Sequence, residues 1–279
     1  MFYRYLNEPL LNILIEDTSR LSLGGESRDM SVLFSDIRGF TSISEKMSSR
    51  ELITMVNDYL HFMTDIILSK NGTIDKYIGD AIMAFWNAPV DDAQHAINAV
   101  LAALTMQERL EIFNRDYPQY PEIAIGIGIN SGDMTVGNVG GEQRFDYTVL
   151  GDNVNLGSRL EGLTKKYGVT CIVSESTKKA AEKQVHDDSV LFRLIDNVIV
   201  KGREKPIRIY QPLRNTPKNK QLLSDFSKAY DRYCSGDFTR AAKLLQIIDD
   251  PVARLYEERI REIGEPPGDW TSVWEWTEK

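Results

Sequence analysis

Residues 72–86 read GTIDKYIGDAIMAFW, two short runs of β-branched, aromatic and aliphatic residues on either side of Gly79-Asp80. Glycine as the first central residue suits a tight hairpin turn, so the stretch is predicted to fold back on itself as two antiparallel strands. Lys76 and Asp80 are charged residues inside that unit. They read either as a solvated strand face or as part of a site.

The neighbouring segments alternate in kind. MSVLFSDI, residues 30–37, is an apolar run of strand length, and SSRELITMVNDYLHFMTDIILSK places Leu52, Met55, Val56, Tyr59, Leu60, Met63 and Ile67 at helical intervals. A second helix is predicted over residues 92–114, then a strand pair from IAIGIGINSG and MTVGNVG, then a strand at DYTVLG. DNVNLGSRLEGLTKKYG reads as a helix capped by Asp152 and closed by Gly168. A strand at 170–173, a helix from Ser174, and strands near 191–200 and 207–210 complete the series. Helices alternate with strands while strands also meet in hairpins. That mixture predicts an α+β fold, a mostly antiparallel sheet with helices packed on one side, rather than a doubly wound parallel sheet.

Two flanking segments differ in character. Near the start, Asn7 can cap a helix with Pro9 in its first turn and Leu6, Leu10, Ile13 and Leu14 in a stripe; so short a helix needs a partner surface. The polar LGGESRD follows it. Toward the end, RNTPKNK reads as a linker, and LLSDFSKAYDRYCSGDFTRAAKLLQII reads as two helices hinged at Gly236. The spacing of Ala229, Tyr233, Gly236, Phe238 and Ala241 is similar to a tetratricopeptide unit, and one such unit cannot bury its own apolar face. Docking is therefore expected, for it and for the tail GDWTSVWEW with Trp270, Trp274 and Trp276. The expected divisions are 1–28, 29–213 and 214–279.

Composition excludes several classes of function. A formal charge of −8 with scattered Lys and Arg does not suit a surface that neutralises nucleic-acid phosphates, although a small anionic ligand needs only a few local cations. No apolar run is long enough to span a bilayer, and the first residues lack the pattern of a secretory signal, so a soluble, cytoplasmic protein is expected. Cys171 and Cys234 are far apart and outside any C-x-x-C pair, which implies neither a disulfide framework nor a zinc site. His61, His95 and His186 are equally dispersed and read as surface or core residues.

Candidate chemistry gathers at turns. In FSDIRGFT, Asp36 ends the first strand and a glycine lets the chain turn toward a helix, a setting in which backbone N–H groups can receive phosphate oxygens beside a cation-holding aspartate. An aspartate there is also a common turn residue. Asp80 lies at a second turn, and two turns at one sheet edge would bring both carboxylates to a pair of Mg²⁺ ions. Asn155 and Arg159, four residues apart, share one helix face. That face is either solvated or aimed at a sugar and a phosphorus centre.

FSDIRGFTSISEKM, GTIDKYIGDAIMAFW and YTVLGDNVNLGSRLEG, in this order, resemble the catalytic domain of class III nucleotidyl cyclases over roughly residues 30–213. The resemblance implies a ferredoxin-like core with extra strands, working as a head-to-tail homodimer with two sites at the interface. Each site would take metal carboxylates from one chain and base-selecting and transition-state residues from the other. By position, Asp36 and Asp80 match the aspartates holding two Mg²⁺ or Mn²⁺, with the Ile37 carbonyl as a further ligand. Gly39, Phe40 and Thr41 match the phosphate-approaching turn. Lys76 and Thr148 match the purine-reading pair, Asn155 the ribose-orienting residue, and Arg159 the residue that steadies the pentavalent phosphate. Lys201, in IVKGREKP, and Arg144 match positions that meet the terminal phosphates.

The implied activity is adenylate cyclase, ATP to 3′,5′-cyclic AMP and pyrophosphate. Lys76 would donate to adenine N1 and Thr148 accept from the exocyclic amine. Many relatives carry aspartate where this chain has Thr148, and a hydroxyl that can donate as well as accept implies looser exclusion of GTP. A guanylyl or dual-substrate cyclase and a catalytically silent nucleotide-sensing module are the alternatives. The glutamate–cysteine pair of guanylyl cyclases and the G-G-D/E-E-F signature of diguanylate cyclases are absent. The lead-in helix and LGGESRD resemble the coupling segment of bacterial receptor cyclases, which implies a sensor and membrane spans upstream.

Overall fold

A computed structural model describes residues 23–141, 143–184 and 189–276. The helix expected around residues 7–14, the coupling role given to it, and His186 lie outside them. Nine strands form one sheet among the described residues: β1 (Gly24–Ile37), β2 (Thr73–Ile78), β3 (Ala81–Trp86), β4 (Ile125–Gly141), β5 (Arg144–Leu150), β6 (Cys171–Ser174), β7 (Val190–Val200), β8 (Ile207–Arg214) and β9 (Trp274–Trp276). Their order is β2-β3-β1-β4-β6-β8-β7-β9, with β5 paired to β4. Only β4–β6 and β7–β9 are parallel among the described pairings. The helices are α1 (Phe40–Ser44), α2 (Ser49–Ser69), α3 (His95–Asp116), α4 (Asp152–Tyr167), α5 (Glu175–Gln184), α6 (Pro217–Cys234), α7 (Phe238–Leu245) and α8 (Pro251–Ile263). The α+β class and the hairpin at Gly79-Asp80 stand as expected.

IAIGIGINSG and MTVGNVG do not form a strand pair. They are one 17-residue strand, because the Ser131-Gly132-Asp133 stretch stays paired with Ser31, Met30 and Asp29 instead of turning. β1 runs back to Gly24 to meet it, so most of LGGESRD is strand and not a junction.

Helices also cover both faces of the sheet, not one. Alternation along β4 explains this. Ile125, Ile127 and Ile129 pack with Leu33 and Ile37, with Met55, Tyr59 and Met63 of α2, and with α3. Gly126 and Gly128 point the other way, onto α4. A Cβ at Gly128 would lie 2.1 Å from the Glu161 backbone nitrogen and 2.3 Å from the Gly157 carbonyl oxygen. Only a bare strand lets the helix come that close.

The second face continues into the C-terminal helices. Leu160 and Tyr167 of α4, with Ile195 and Val198 of β7, share a core with Phe226, Tyr233 and Tyr256. Thr216 caps α6 and Pro217 occupies its first turn, so RNTPKNK is mostly helix. The expected docking is observed. Buried ion pairs join Arg259 to Asp196 at 2.6 Å and Arg193 to Asp250 at 2.8 Å. β9 adds to β7, Trp270 donates to the Tyr233 carbonyl, and Trp276 donates to the Tyr167 hydroxyl. No helix among the described residues is long and apolar enough to cross a membrane.

Candidate active site

Asp36 and Asp80 meet where β1 ends beside the β2–β3 hairpin. After Ile37 the chain is held by the Arg38 N–H donating to the Ala124 carbonyl at 2.8 Å, and Gly39 (φ 67°) takes the left-handed conformation that starts α1. Gly79 (φ 67°) makes the hairpin turn and leaves Asp80 only 8% exposed. The Ile37 N–H donates to Asp80 Oδ2 at 3.0 Å. Burial, then a hydrogen bond and repulsion from the Asp36 carboxyl, push Asp80 up to about 7. Glu161 of α4 is raised to about 7 as well, by burial and by Asp36, against the opposing pull of Arg38. Carboxyl oxygens crowded until one resists ionising are a donor set suited to a hard divalent cation. Phe40 tucks against the core and Thr41 is exposed on α1.

A second group forms where β2 passes β5. The Thr148 hydroxyl donates to Asp75 Oδ2 at 2.6 Å, and the Lys76 ammonium lies 3.1 Å from Asp75 Oδ1. Lys76 and Thr148, distant in sequence, are thus held by one carboxylate.

The third group is built on α4. Asn155 is exposed and Arg159 half-buried, with Arg159 Nη1 buried and unpartnered among the described residues. Arg159 Nη2 lies beside Gly202, where a Cβ would come within 3.2 Å, so the arginine abuts the β7–β8 turn that carries exposed Lys201. Asp152 is not the cap expected of it. Gly151 holds that position without a side-chain bond, and the Asp152 carboxylate instead pairs with Arg203. Arg144 is exposed at the start of β5, four residues or ~13 Å of strand from Thr148.

Four residues with evident contacts at these groups escaped the sequence reading. Asp75 and Arg203 carried a signal, since each adjoins or nearly adjoins a residue singled out. Arg38 donates to Thr164 Oγ1 at 2.6 Å and to the Val169 carbonyl at 3.0 Å, tying the Asp36 turn to the end of α4. Neither it nor Glu161 is marked by spacing.

Residues 25–211 match the family model described as the adenylate and guanylate cyclase catalytic domain. The chain belongs to that family. An adenylate cyclase of Anabaena cylindrica is 39% identical over 219 residues, 75% of this chain, and the chain spans 42% of that protein's length. The adenylyl cyclase CyaB from P. aeruginosa is similar in structure, with a TM-score of 0.63 and 33% identity over 70% of this chain and 98% of that one. The guanylyl cyclase Cya2 has a TM-score of 0.60 and 34% identity over 71% of this chain and 98% of that one. The cyclase domain so bounded contains every group above, while α6–α8 and β9 lie beyond residue 211.

Proposed function

We propose that this cyclase domain converts ATP to 3′,5′-cyclic AMP and pyrophosphate, at sites shared by two head-to-tail copies. The observation that carries the reading is the convergence of Lys76 and Thr148 on Asp75. A cation that only donates and a hydroxyl able to accept match the N1 acceptor and the amino donor of adenine; guanine presents the opposite pattern. Sharing between copies rests on the family resemblance. It is supported by exposed Tyr77 and Ile78 on β2, Val139 on β4 and Leu150 on β5, an apolar fringe around the base-reading strands.

In this reading Asp36, Asp80 and the Ile37 carbonyl would hold two Mg²⁺ or Mn²⁺ ions. Those ions, when bound, supply charge neutralisation at the phosphates and ease deprotonation of the ribose 3′-hydroxyl. Asn155 orients the ribose so that the 3′-oxygen faces the α-phosphorus in line. As the new O–P bond forms and the bond to the β-phosphate breaks, Arg159 donates to the charge that grows on the α-phosphoryl oxygens. Lys201 receives the terminal phosphates, backbone N–H groups at Gly39, Phe40 and Thr41 approach them, and Arg144 assists from the hairpin.

Incubation with ATP and Mn²⁺ should yield cyclic AMP, and GTP should compete weakly. Asp36→Ala should abolish turnover. Arg159→Ala should lower kcat by about 10²–10³ with little change in nucleotide affinity, the signature of a contact made in the transition state. Unaltered turnover in either variant would remove its assigned role, and absence of cyclic AMP from the intact protein would overturn the reading.

A further inference from the structure

The Asp75 carboxylate is placed by a defect in the sheet. Pairing of β2 with β3 slips between Ile74 and Lys76, so Asp75 is the extra residue of a β-bulge. In a regular strand Asp75 and Lys76 would point to opposite faces; a bulge re-aims a side chain. Here both reach the same neighbourhood as Thr148 on β5. The Asp75 side chain is 1% exposed; its Oδ2 accepts from the Thr148 hydroxyl, while Oδ1 faces the Lys76 ammonium at 3.1 Å as an ion pair and makes no hydrogen bond among the described residues. A buried carboxylate is costly, and here one hydrogen bond from Thr148 and the charge of Lys76 offset that cost.

We infer that Asp75 is a positioning residue that sets the nucleotide preference of this domain by dictating the direction of the Thr148 hydroxyl. This rests on Lys76 and Thr148 being the purine-reading pair. A carboxylate only accepts, so the single hydroxyl proton of Thr148 is committed to Asp75 and its lone pairs are left for the ligand. Thr148 then behaves as an acceptor. It receives the amino group of adenine and sets lone pair against lone pair at the guanine carbonyl. The tolerance of GTP expected of a free hydroxyl is thereby removed. The charge of Asp75 also draws Lys76 toward the same edge, where its ammonium N–H groups can donate to the ligand.

The test compares equilibrium binding of 3′-deoxy-ATP and 3′-deoxy-GTP with Mn²⁺, which bind without cyclising, and the ATP:GTP ratio of kcat/KM. In Asp75→Asn, Lys76 claims the one amide carbonyl, so the NH₂ group faces Thr148 and turns its proton outward. The preference for ATP should fall about tenfold, through better GTP binding, with the melting temperature little changed. Asp75→Ser, too short to reach both partners, serves if the amide variant does not fold. In a Thr148→Val background neither substitution should change the ratio further. If Thr148→Val shifts the ratio and both Asp75 variants leave it intact, the inference is wrong and the purine-reading pair stands. An equal shift with or without the Thr148 hydroxyl also overturns it. If Thr148→Val and Lys76→Ala both leave the ratio unchanged, the purine-reading pair falls and the inference with it.

Discussion

Asp80 shows at the residue scale how a group proposed to bind a cation works against the fold that carries it. Its carboxyl is nearly enclosed beside Asp36 and is raised to about 7. A carboxyl raised in the folded state binds its proton more tightly there than in the unfolded chain. Its contribution to stability is therefore full below the ordinary carboxylate range near pH 4 and is lost as pH rises through about 7. In chelator, Asp80→Asn should melt higher than the parent at pH 8, by a few degrees, and the two should converge at pH 4 to 5. Mn²⁺ should raise the parent's melting temperature at pH 8 and leave the variant unmoved. Scanning calorimetry at the two pH values checks both. A variant that melts lower at pH 8 in chelator would show that Asp80 is a structural group and not a strained ligand.

Among the elements, the approach of β4 to α4 decides the geometry around Arg159. Gly128→Ala would push a Cβ into the α4 backbone at Glu161 and Gly157 and should cost about 3 kcal/mol, the upper end for overpacking. Gly162, on the open side of the same helix, has nothing within 4 Å of its missing Cβ. Gly162→Ala should instead stabilise by roughly 0.5–1 kcal/mol through helix propensity. Urea titrations of both variants test the pair, and equal effects would refute the close approach. The same contact shows what sequence can and cannot reveal. Period-2 alternation made IAIGIGIN legible as a strand, and the hairpin, α2 and α4 were legible from turn residues and helical spacing. The glycines of β4 read as a reason to break the strand, because only the partner strand shows that Gly132 stays paired and only α4 shows what Gly126 and Gly128 admit. The candidates Asp36, Asp80, Asn155 and Arg159 stand out in the sequence because they lie at turns or on one helix face. Glu161 and Arg38 matter through contacts between β1 and α4 that no local spacing encodes.

For the whole molecule, the C-terminal helices and the catalytic sheet share one core closed by the Arg259–Asp196 pair, whose side chains are 2% and 0% exposed. Asp196→Ala should cost about 3–5 kcal/mol by stranding the guanidinium, whereas Asp196→Leu with Arg259→Met should cost far less. Calorimetry should show one transition for both regions; separate melting would mean that they are not one cooperative unit. Beyond the single chain, the proposed division of labour is tested by mixing. Asp36→Ala removes a proposed metal ligand but keeps Arg159, and Arg159→Ala does the reverse. In a head-to-tail dimer each parent homodimer has two defective sites. A mixed dimer has one site bearing both lesions and one bearing neither. Random pairing of equal amounts makes half the dimers mixed, so activity should recover to roughly a quarter of the wild-type value. Recovery should also climb with total protein concentration as dimers form. If the mixture stays as inactive as its components while size measurements show mixed dimers, each chain must complete its own site.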